Sequence, residues 1–267
     1  MSMLANLHDR SDSRYASPFS INSRKEPAMP QLVFIHGPGA GACADAYIPQ
    51  LKHFKGSIAP TLPGHLEGER CVDVARYTEW VRGWLWAQEK KKDLVLIGYT
   101  LGASIALQYG LDYPDEVKGV VIMTVAAKPK TRAPDTFEMR LRAAKEPRDA
   151  KAYDEWLAFQ MRAMQFVEPG LRAHLMECHK NVGPMSQYHD IKTIDAFDVR
   201  ERISSFKPKM LILRGLNDHG SPPEYEKEIH EAVPHSQYIK LPGVGHFPLT
   251  EFPEKINPLI ETFVAGL

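Results

Sequence analysis

The sequence lacks the features that would assign it to several special classes of protein. Neither sign of charge is in excess, because 33 Lys and Arg residues balance 33 Asp and Glu residues. This balance gives no electrostatic basis for binding nucleic acid or an anionic membrane. No apolar run approaches the roughly 20 residues that a membrane-spanning helix needs. We therefore expect an ordinary globular protein that binds neither nucleic acid nor a membrane, and the sequence does not indicate its oligomeric state.

Cysteine is also scarce. The three cysteines, Cys43, Cys71 and Cys178, are odd in number and scattered, which favours free thiols in a reducing cytoplasm. Residues 1–29 contain charges and prolines but no apolar stretch typical of a signal peptide. Within them, residues 15–21 predict either a short leading hairpin or a loose arm.

No cofactor motif or convincing metal-ligand spacing is present. His174, Cys178 and His179 have a faint resemblance to a metal site, but they fall in a helical segment without a second cysteine or a carboxylate at a fitting spacing. We interpret them as ordinary helix surface and expect neither a metal nor a cofactor.

Short apolar runs alternate with helical segments along most of the chain. Runs of this kind, bounded by glycine, are typical of strands buried on both faces of a parallel sheet, so the pattern predicts an α/β fold with helices on both faces. The predicted strands are 31–35, 93–97, 117–123, 209–213 and 237–241, and the predicted helices are 47–54, 77–88, 100–111, 224–232 and 253–263.

The alternation stops between about residues 128 and 206, where the sequence is helical, charged and rich in Met and aromatic residues. We predict a helical cap inserted over the carboxyl edge of the sheet, where open α/β sheets bind ligands. The predicted units are 1–130 for the first part of the core, 131–205 for the cap and 206–267 for the second part of the core.

A glycine turn, Gly98-Tyr99-Thr100-Leu101-Gly102, joins a predicted strand to a predicted helix. This is the setting of the nucleophile elbow G-x-S-x-G, in which the central residue is strained and its neighbours must lack bulk. Thr100 stands where the pattern has serine.

Two further polar groups follow predicted strands. Asp218 follows the strand 209–213 and His246 follows the strand 237–241. The carboxyl ends of parallel strands meet at one edge of a sheet, so we expect both side chains to lie near the elbow. The order of nucleophile, acid and His is that of an α/β hydrolase.

From residue 31 to the end, the chain resembles the α/β-hydrolase superfamily, in the branch of small esterases, lactonases and carbon–carbon bond hydrolases with a helical cap. Each motif is weak alone, but together and in this order they are specific. Besides the elbow, they are His36-Gly37-x-Gly39, Leu62-Pro63-Gly64-His65, Gly215-x-x-Asp218 and Gly243-x-Gly245-His246.

The resemblance implies a role for each group. Thr100 would be the nucleophile, His246 the general base, and Asp218 the acid that orients the imidazole and stabilises its cation. The N–H of Leu101 would be the first donor of the oxyanion hole. Two other acids, Asp190 and Asp195, are weaker candidates because they lie at the end of the insert.

Two departures fall on the chemistry itself. Thr100 is β-branched, which is unfavourable in a strained turn, and its methyl group crowds the approach of a substrate carbonyl. Pro38 stands where relatives usually supply the second oxyanion N–H, and proline has none. The loss of one donor costs roughly 100- to 1,000-fold in rate, although Gly39 could substitute if the loop shifts.

The expected function is hydrolysis of carboxylic esters, lactones or thioesters without a cofactor. Two alternatives stay open: a relative that only binds its ligand, and a lyase or carbon–carbon hydrolase that uses His246 as a base. We expect the substrate pocket to include His36, Tyr99, Met123, Met161 and Met185.

Overall fold

The computed structural model describes residues 29–267, so the predicted hairpin or arm at residues 15–21 lies outside the described residues. Its five strands form one sheet in the order β1-β2-β3-β4-β5, and every neighbouring pair is parallel. The predicted strands are confirmed, but β2 and β4 each extend two residues further than predicted. The strands are β1 Gln31–Ile35, β2 Leu94–Tyr99, β3 Val117–Met123, β4 Lys209–Gly215 and β5 Gln237–Leu241.

Helices cover both faces of the sheet, as predicted. Alternate strand residues point to opposite faces, so Leu96 packs in the cluster that includes α2, α3 and α7, while Ile97 packs in the cluster that includes α9. The helices are α1 Ile48–His53, α2 Val74–Ala87, α3 Leu101–Asp112, α4 Pro134–Ala143, α5 Ala150–Ala163, α6 Pro169–Ala196, α7 Glu224–Ala232, α8 Pro248–Glu251 and α9 Pro253–Ala265. Within residues 29–267, no helix is both long and apolar enough to cross a bilayer.

Three helices, α4, α5 and α6, lie between β3 and β4 in the chain, within the insert predicted to be helical. The longest, α6, changes direction at Gly183, whose φ of 81° is followed by Pro184. Proline has no N–H for the helix, and glycine tolerates the positive φ, so the two residues together explain the kink. The cap boundaries at residues 131 and 205 stay a prediction.

The turn between β2 and α3 brings two glycines into close contact with backbone. A Cβ added to Gly102 would lie 1.8 Å from the carbonyl oxygen of Ile35 in β1, and one added to Gly98 would lie 2.5 Å from the carbonyl carbon of Gly102. Neither neighbour is a side chain that could rotate away. Packing of α3 against the sheet at this turn therefore depends on the absence of both side chains.

We predict that Gly102→Ala lowers the free energy of unfolding by about 3 kcal/mol or more, because the new methyl group meets a backbone carbonyl. The matched control is Gly83→Ala in the middle of α2, where an added Cβ meets nothing within 4 Å. The control should stabilise the protein by about 0.5–1 kcal/mol. Urea unfolding of both variants tests this, and equal stabilities would contradict it.

Candidate active site

A cavity of about 520 Å³ lies at the carboxyl edge of the sheet, between the loops that follow the strands and the inserted helices. Its walls bring together Thr100 from the elbow, Asp218 from the loop after β4 and His246 from the loop after β5. Residues of α4, α5 and α6 close the other side. Groups that are distant in the sequence therefore face the same cavity.

Thr100 has the strained backbone expected of an elbow residue. Its φ of 49° and ψ of −115° place it in a region that β-branched residues rarely adopt. Its Oγ1 atom is buried and makes no hydrogen bond to residues 29–267. A Cβ added to Gly37 would lie 2.0 Å from this oxygen. The hydroxyl thus occupies space left free by Gly37 and does not bond to His246.

His246 and Asp218 form a hydrogen-bonded pair. The distance from Nδ1 of His246 to Oδ1 of Asp218 is 2.8 Å, and the aspartate side chain is fully buried, whereas 28% of the histidine side chain is exposed. A carboxylate accepts, so Nδ1 must carry the proton. The lone pair then lies on Nε2, which is the arrangement a general base requires.

Asp218 receives further donors that keep it ionised. The N–H of Gly220 donates to Oδ1 at 2.7 Å, the hydroxyl of Ser221 donates to Oδ2, and Nη1 of Arg214 lies 3.6 Å from Oδ2. Burial alone would raise the pKa of Asp218, but His246, Ser221 and Gly220 outweigh it and lower the pKa to about 2. The partner of the imidazole is therefore a carboxylate over the whole neutral range.

The lowered pKa of Asp218 predicts a pH-dependent contribution to stability. A fall from 3.8 to about 2 corresponds to roughly 2 kcal/mol. Because the folded state has the lower pKa, this stabilisation is present above about pH 4 and is lost as the pH falls towards 2. The difference in unfolding free energy between the wild type and Asp218→Asn should therefore shrink across that window. A difference independent of pH in urea unfolding would refute the prediction.

Glu251 holds the loop that carries His246, a role that the sequence did not suggest. Its two carboxylate oxygens accept hydrogen bonds from the N–H of Gly245 at 2.7 Å and of Phe247 at 3.1 Å, one on each side of the histidine. Burial raises the pKa of Glu251, against the lowering effect of these two bonds. The glutamate is thus a positioning residue for His246.

We predict that Glu251→Gln lowers the unfolding free energy by about 1–3 kcal/mol, because the amide keeps only one acceptor oxygen for two buried N–H groups. Glu254→Gln, at an exposed position in α9, is the matched control and should change stability by less than about 0.5 kcal/mol. Thermal and urea unfolding of both variants provide the measurement. A Glu251 variant as stable as its control would exclude the role.

The loop after β1 is held by hydrogen bonds to its carbonyl groups. The carbonyl of Pro38 accepts from Nε2 of Gln187 in α6 at 2.9 Å, and the carbonyl of Gly39 accepts from the hydroxyl of Tyr99 at 3.0 Å. The N–H groups of Gly39 and Leu101 donate to no atom of residues 29–267. Gly39 lines the cavity, and Leu101 follows Thr100, which also lines it.

The predicted pocket residues need correction, because none of them lines this cavity. His36 is fully buried, and its Nε2 accepts from the N–H of Leu62 at 2.9 Å. Burial, together with neighbouring His65, lowers the pKa of His36 well below its usual value, so the ring is neutral and holds two loops together. The other four are Tyr99 and Met123, buried in the core, Met161, exposed on α5, and Met185, which lines a separate cavity.

The two weaker acid candidates have other partners. Asp190 accepts from Nε2 of His65 at 2.8 Å inside the protein. Burial opposes charge on His65, but Asp190 outweighs it and raises the pKa of the ring. Asp195 forms an ion pair with Arg132. Neither carboxylate contacts His246.

The interpretation of 174–179 as plain helix surface is wrong for two of its three residues. His179 is buried, and its Nε2 accepts from the N–H of Gly41 at 3.0 Å, whereas only His174 is half exposed and contacts Asp45 at 2.7 Å. The ligand atoms of Cys43, Asp45 and Cys178 lie within 4.8 Å of one another. Burial, followed by Cys178, raises the pKa of Cys43 to about 12. These contacts join α6 to the loop after β1.

Comparison with known proteins identifies the family. The sequence profile described as the alpha/beta hydrolase family matches residues 32–259. This match covers most of the chain and includes the elbow, Asp218 and His246. The protein therefore belongs to the α/β-hydrolase family.

Relatives of this chain include hydrolytic enzymes. It is 24% identical over 178 residues to the AB hydrolase superfamily protein YisY of Bacillus subtilis (strain 168), covering 64% of this chain and 66% of that protein. It is 26% identical over 234 residues to the pimeloyl-[acyl-carrier protein] methyl ester esterase of Vibrio atlanticus (strain LGP32), covering 82% of this chain and 88% of the esterase.

Solved structures share the fold at low identity. The enol-lactonase from Burkholderia xenovorans LB400 has a TM-score of 0.75 at 16% identity, covering 90% of this chain and 92% of that one. E-2-(acetamidomethylene)succinate hydrolase has a TM-score of 0.72 at 18% identity, covering 88% and 91%.

Proposed function

We propose that the protein hydrolyses carboxylic esters, lactones or thioesters through Thr100, His246 and Asp218. The observation that carries the proposal is the 2.8 Å bond from His246 to a buried carboxylate, beside a strained elbow hydroxyl in the same cavity. The methyl ester esterase and the enol-lactonase among its relatives and structural neighbours support this reaction class.

The reaction would proceed in two steps, acylation of Thr100 and hydrolysis of the acyl-enzyme. Nε2 of His246 takes the proton of Thr100 as its oxygen attacks the carbonyl, and the imidazolium then returns that proton to the departing alcohol or thiol. Water enters next, gives a proton to His246 and attacks the carbonyl of the acyl-enzyme. As the bond to the Thr100 oxygen breaks, the imidazolium returns this proton to that oxygen, which releases the acid and restores Thr100 and neutral His246. Asp218, ionised throughout, stabilises the imidazolium in both steps.

We propose that the N–H groups of Gly39 and Leu101 stabilise the negative oxygen of each tetrahedral intermediate. Both are unbonded within residues 29–267, and Leu101 is the first residue of α3. The positive end of the helix dipole favours an anion there. Gly39 replaces the donor that Pro38 lacks.

Attack also requires the Thr100 hydroxyl to turn towards His246. In the structure it occupies the space over Gly37, so χ1 must change to another staggered rotamer. The same rotation moves the methyl group of threonine to another staggered position, where it has to find space among buried neighbours. Because a serine lacks this methyl group, it would turn with less hindrance.

We predict that Thr100→Ser raises kcat/KM for a chromogenic short-chain ester by about 10- to 100-fold, since misplacement of the attacking oxygen by 1 Å costs about 100-fold. His246→Ala should lower kcat by roughly 1,000-fold or more. His53→Ala is the control and should leave the rate unchanged, because His53 is an exposed histidine of α1 that contacts Glu261 and does not line the cavity. A serine variant no faster than the wild type would refute the steric argument.

One observation favours a second candidate. Because the Thr100 hydroxyl lacks a bond to His246, the imidazole could act directly on water or on a carbon acid, as in a lyase or a carbon–carbon hydrolase. Thr100→Ala separates the two routes: the acyl-enzyme route loses nearly all turnover, and the direct route retains most of it. A protein that only binds its ligand would show no turnover in any variant.

We also propose that the protein works in the cytoplasm. Cys43 and Cys178 are free thiols, although their sulfur atoms lie within 4.8 Å of each other. A reducing compartment keeps such neighbouring thiols unpaired.

A further inference from the structure

Arg140 is a buried cation at the wall of the active-site cavity. It projects from α4, and only 4% of the residue is exposed. Nε donates to Oε1 of Gln187 at 2.8 Å, and Nη1 donates to the carbonyl of Thr136. Nη2 has no hydrogen-bond partner within residues 29–267, and Arg140 is among the residues that line the cavity.

No carboxylate of the described chain pairs with Arg140. Burial, followed by neighbouring Arg132, lowers its pKa to about 10, so the guanidinium is still charged at neutral pH. Arg132, which also lines the cavity, is already neutralised by Asp195. A buried cation without an anion is costly, and proteins rarely retain one without a use.

The two carboxylates at the cavity wall are engaged elsewhere. Asp218 accepts from His246, Gly220 and Ser221, and Glu251 accepts from the backbone on both sides of His246. A third arginine, Arg162, is exposed and also lines the cavity. The wall opposite the catalytic groups is therefore positively charged.

A purely structural role does not require a guanidinium at this position. Oε1 of Gln187 also accepts from Nε1 of Trp156 at 2.8 Å and from Nε2 of Gln160 at 3.0 Å. An amide oxygen has two lone pairs, so these two donors satisfy it without Arg140. Its guanidinium carbon also lies 5.6 Å from the ring centroid of Phe159, and this cation–π contact does not neutralise the charge.

We propose that Arg140 binds a carboxylate carried by the substrate, so that the protein acts on half-esters of dicarboxylic acids or on lactones that carry a free carboxylate. This inference rests on the proposed hydrolase function and narrows its substrate class. Arginine suits the role, because its planar fork binds a carboxylate through charged hydrogen bonds.

Arg140 is also connected to the loop after β1 by the side chain of Gln187. Gln187 accepts from Arg140 and donates to the carbonyl of Pro38, next to the free N–H of Gly39. A carboxylate on Arg140 would therefore lie three hydrogen bonds from the loop that would stabilise the intermediate, and Arg140 itself lies two from it. The hydrogen bonds from Arg140 to Gln187 and from Gln187 to Pro38 thus link the site that would bind the carboxylate to the loop that would place the reacting carbonyl.

Paired substrates test the proposal. Monomethyl and dimethyl esters of glutarate and adipate differ only in one free carboxylate, and methanol release by proton NMR measures their hydrolysis. We expect wild type to prefer the better monoester over its diester by about 10- to 100-fold in kcat/KM, the range of a hydrogen bond to a charged group. Arg140→Met should abolish this preference, and Arg140→Lys should restore part of it.

Arg142→Met is the matched control, because Arg142 is an exposed arginine of the same helix and lies outside the cavity wall. It should keep the wild-type preference. A wild-type preference below tenfold, or a preference retained in Arg140→Met, overturns the proposal.

Binding of adipate, measured by calorimetry, separates this inference from the proposed function. Wild type and Arg142→Met should bind adipate at least about tenfold more tightly than uncharged dimethyl adipate, and Arg140→Met should not. Adipate binding without turnover of any ester would support the arginine site and defeat the hydrolase. If Arg140→Met fails to fold, the affinities of wild type and Arg140→Lys for adipate and for dimethyl adipate are compared instead. Equal binding of both ligands by wild type overturns the proposal.

Discussion

The close approach of the elbow to the first strand is the constraint on which the site depends. The missing side chains of Gly98 and Gly102 allow α3 to pack against the backbone of β1, and the resulting turn forces Thr100 to a φ of 49°. That strain is maintained because the buried sheet and helix on either side fix both ends of the turn. The residue consequently projects from the sheet edge into the cavity rather than into the core.

Polar contacts that run between distant elements complete the site. Glu251 fixes the backbone on both sides of His246, and Gln187 connects the inserted helices to the loop after β1. Each uses a buried side chain to satisfy backbone groups of a loop beside the cavity. These loops thus depend on α6 and α8 for their geometry, although neither helix supplies a reacting atom in our proposal.

The sequence predicted those features of the fold that depend on a local pattern of residues. Apolar runs bounded by glycine located all five strands, and glycine spacing located the elbow. It could not predict Gln187, Glu251 or Arg140, because their roles depend on which atoms meet across the fold. The Met residues chosen for the pocket failed for the same reason: composition indicates adaptable apolar side chains but not the direction in which they point.

Covalent labelling would test directly whether the Thr100 hydroxyl acts as a nucleophile. A fluorophosphonate that carries an alkyl carboxylate reacts only with an activated oxygen, and peptide mass spectrometry locates the adduct. We expect one adduct, on Thr100, which forms in the wild type and does not form in His246→Ala. An unlabelled protein, or an adduct on Ser104 one helical turn away, would contradict it.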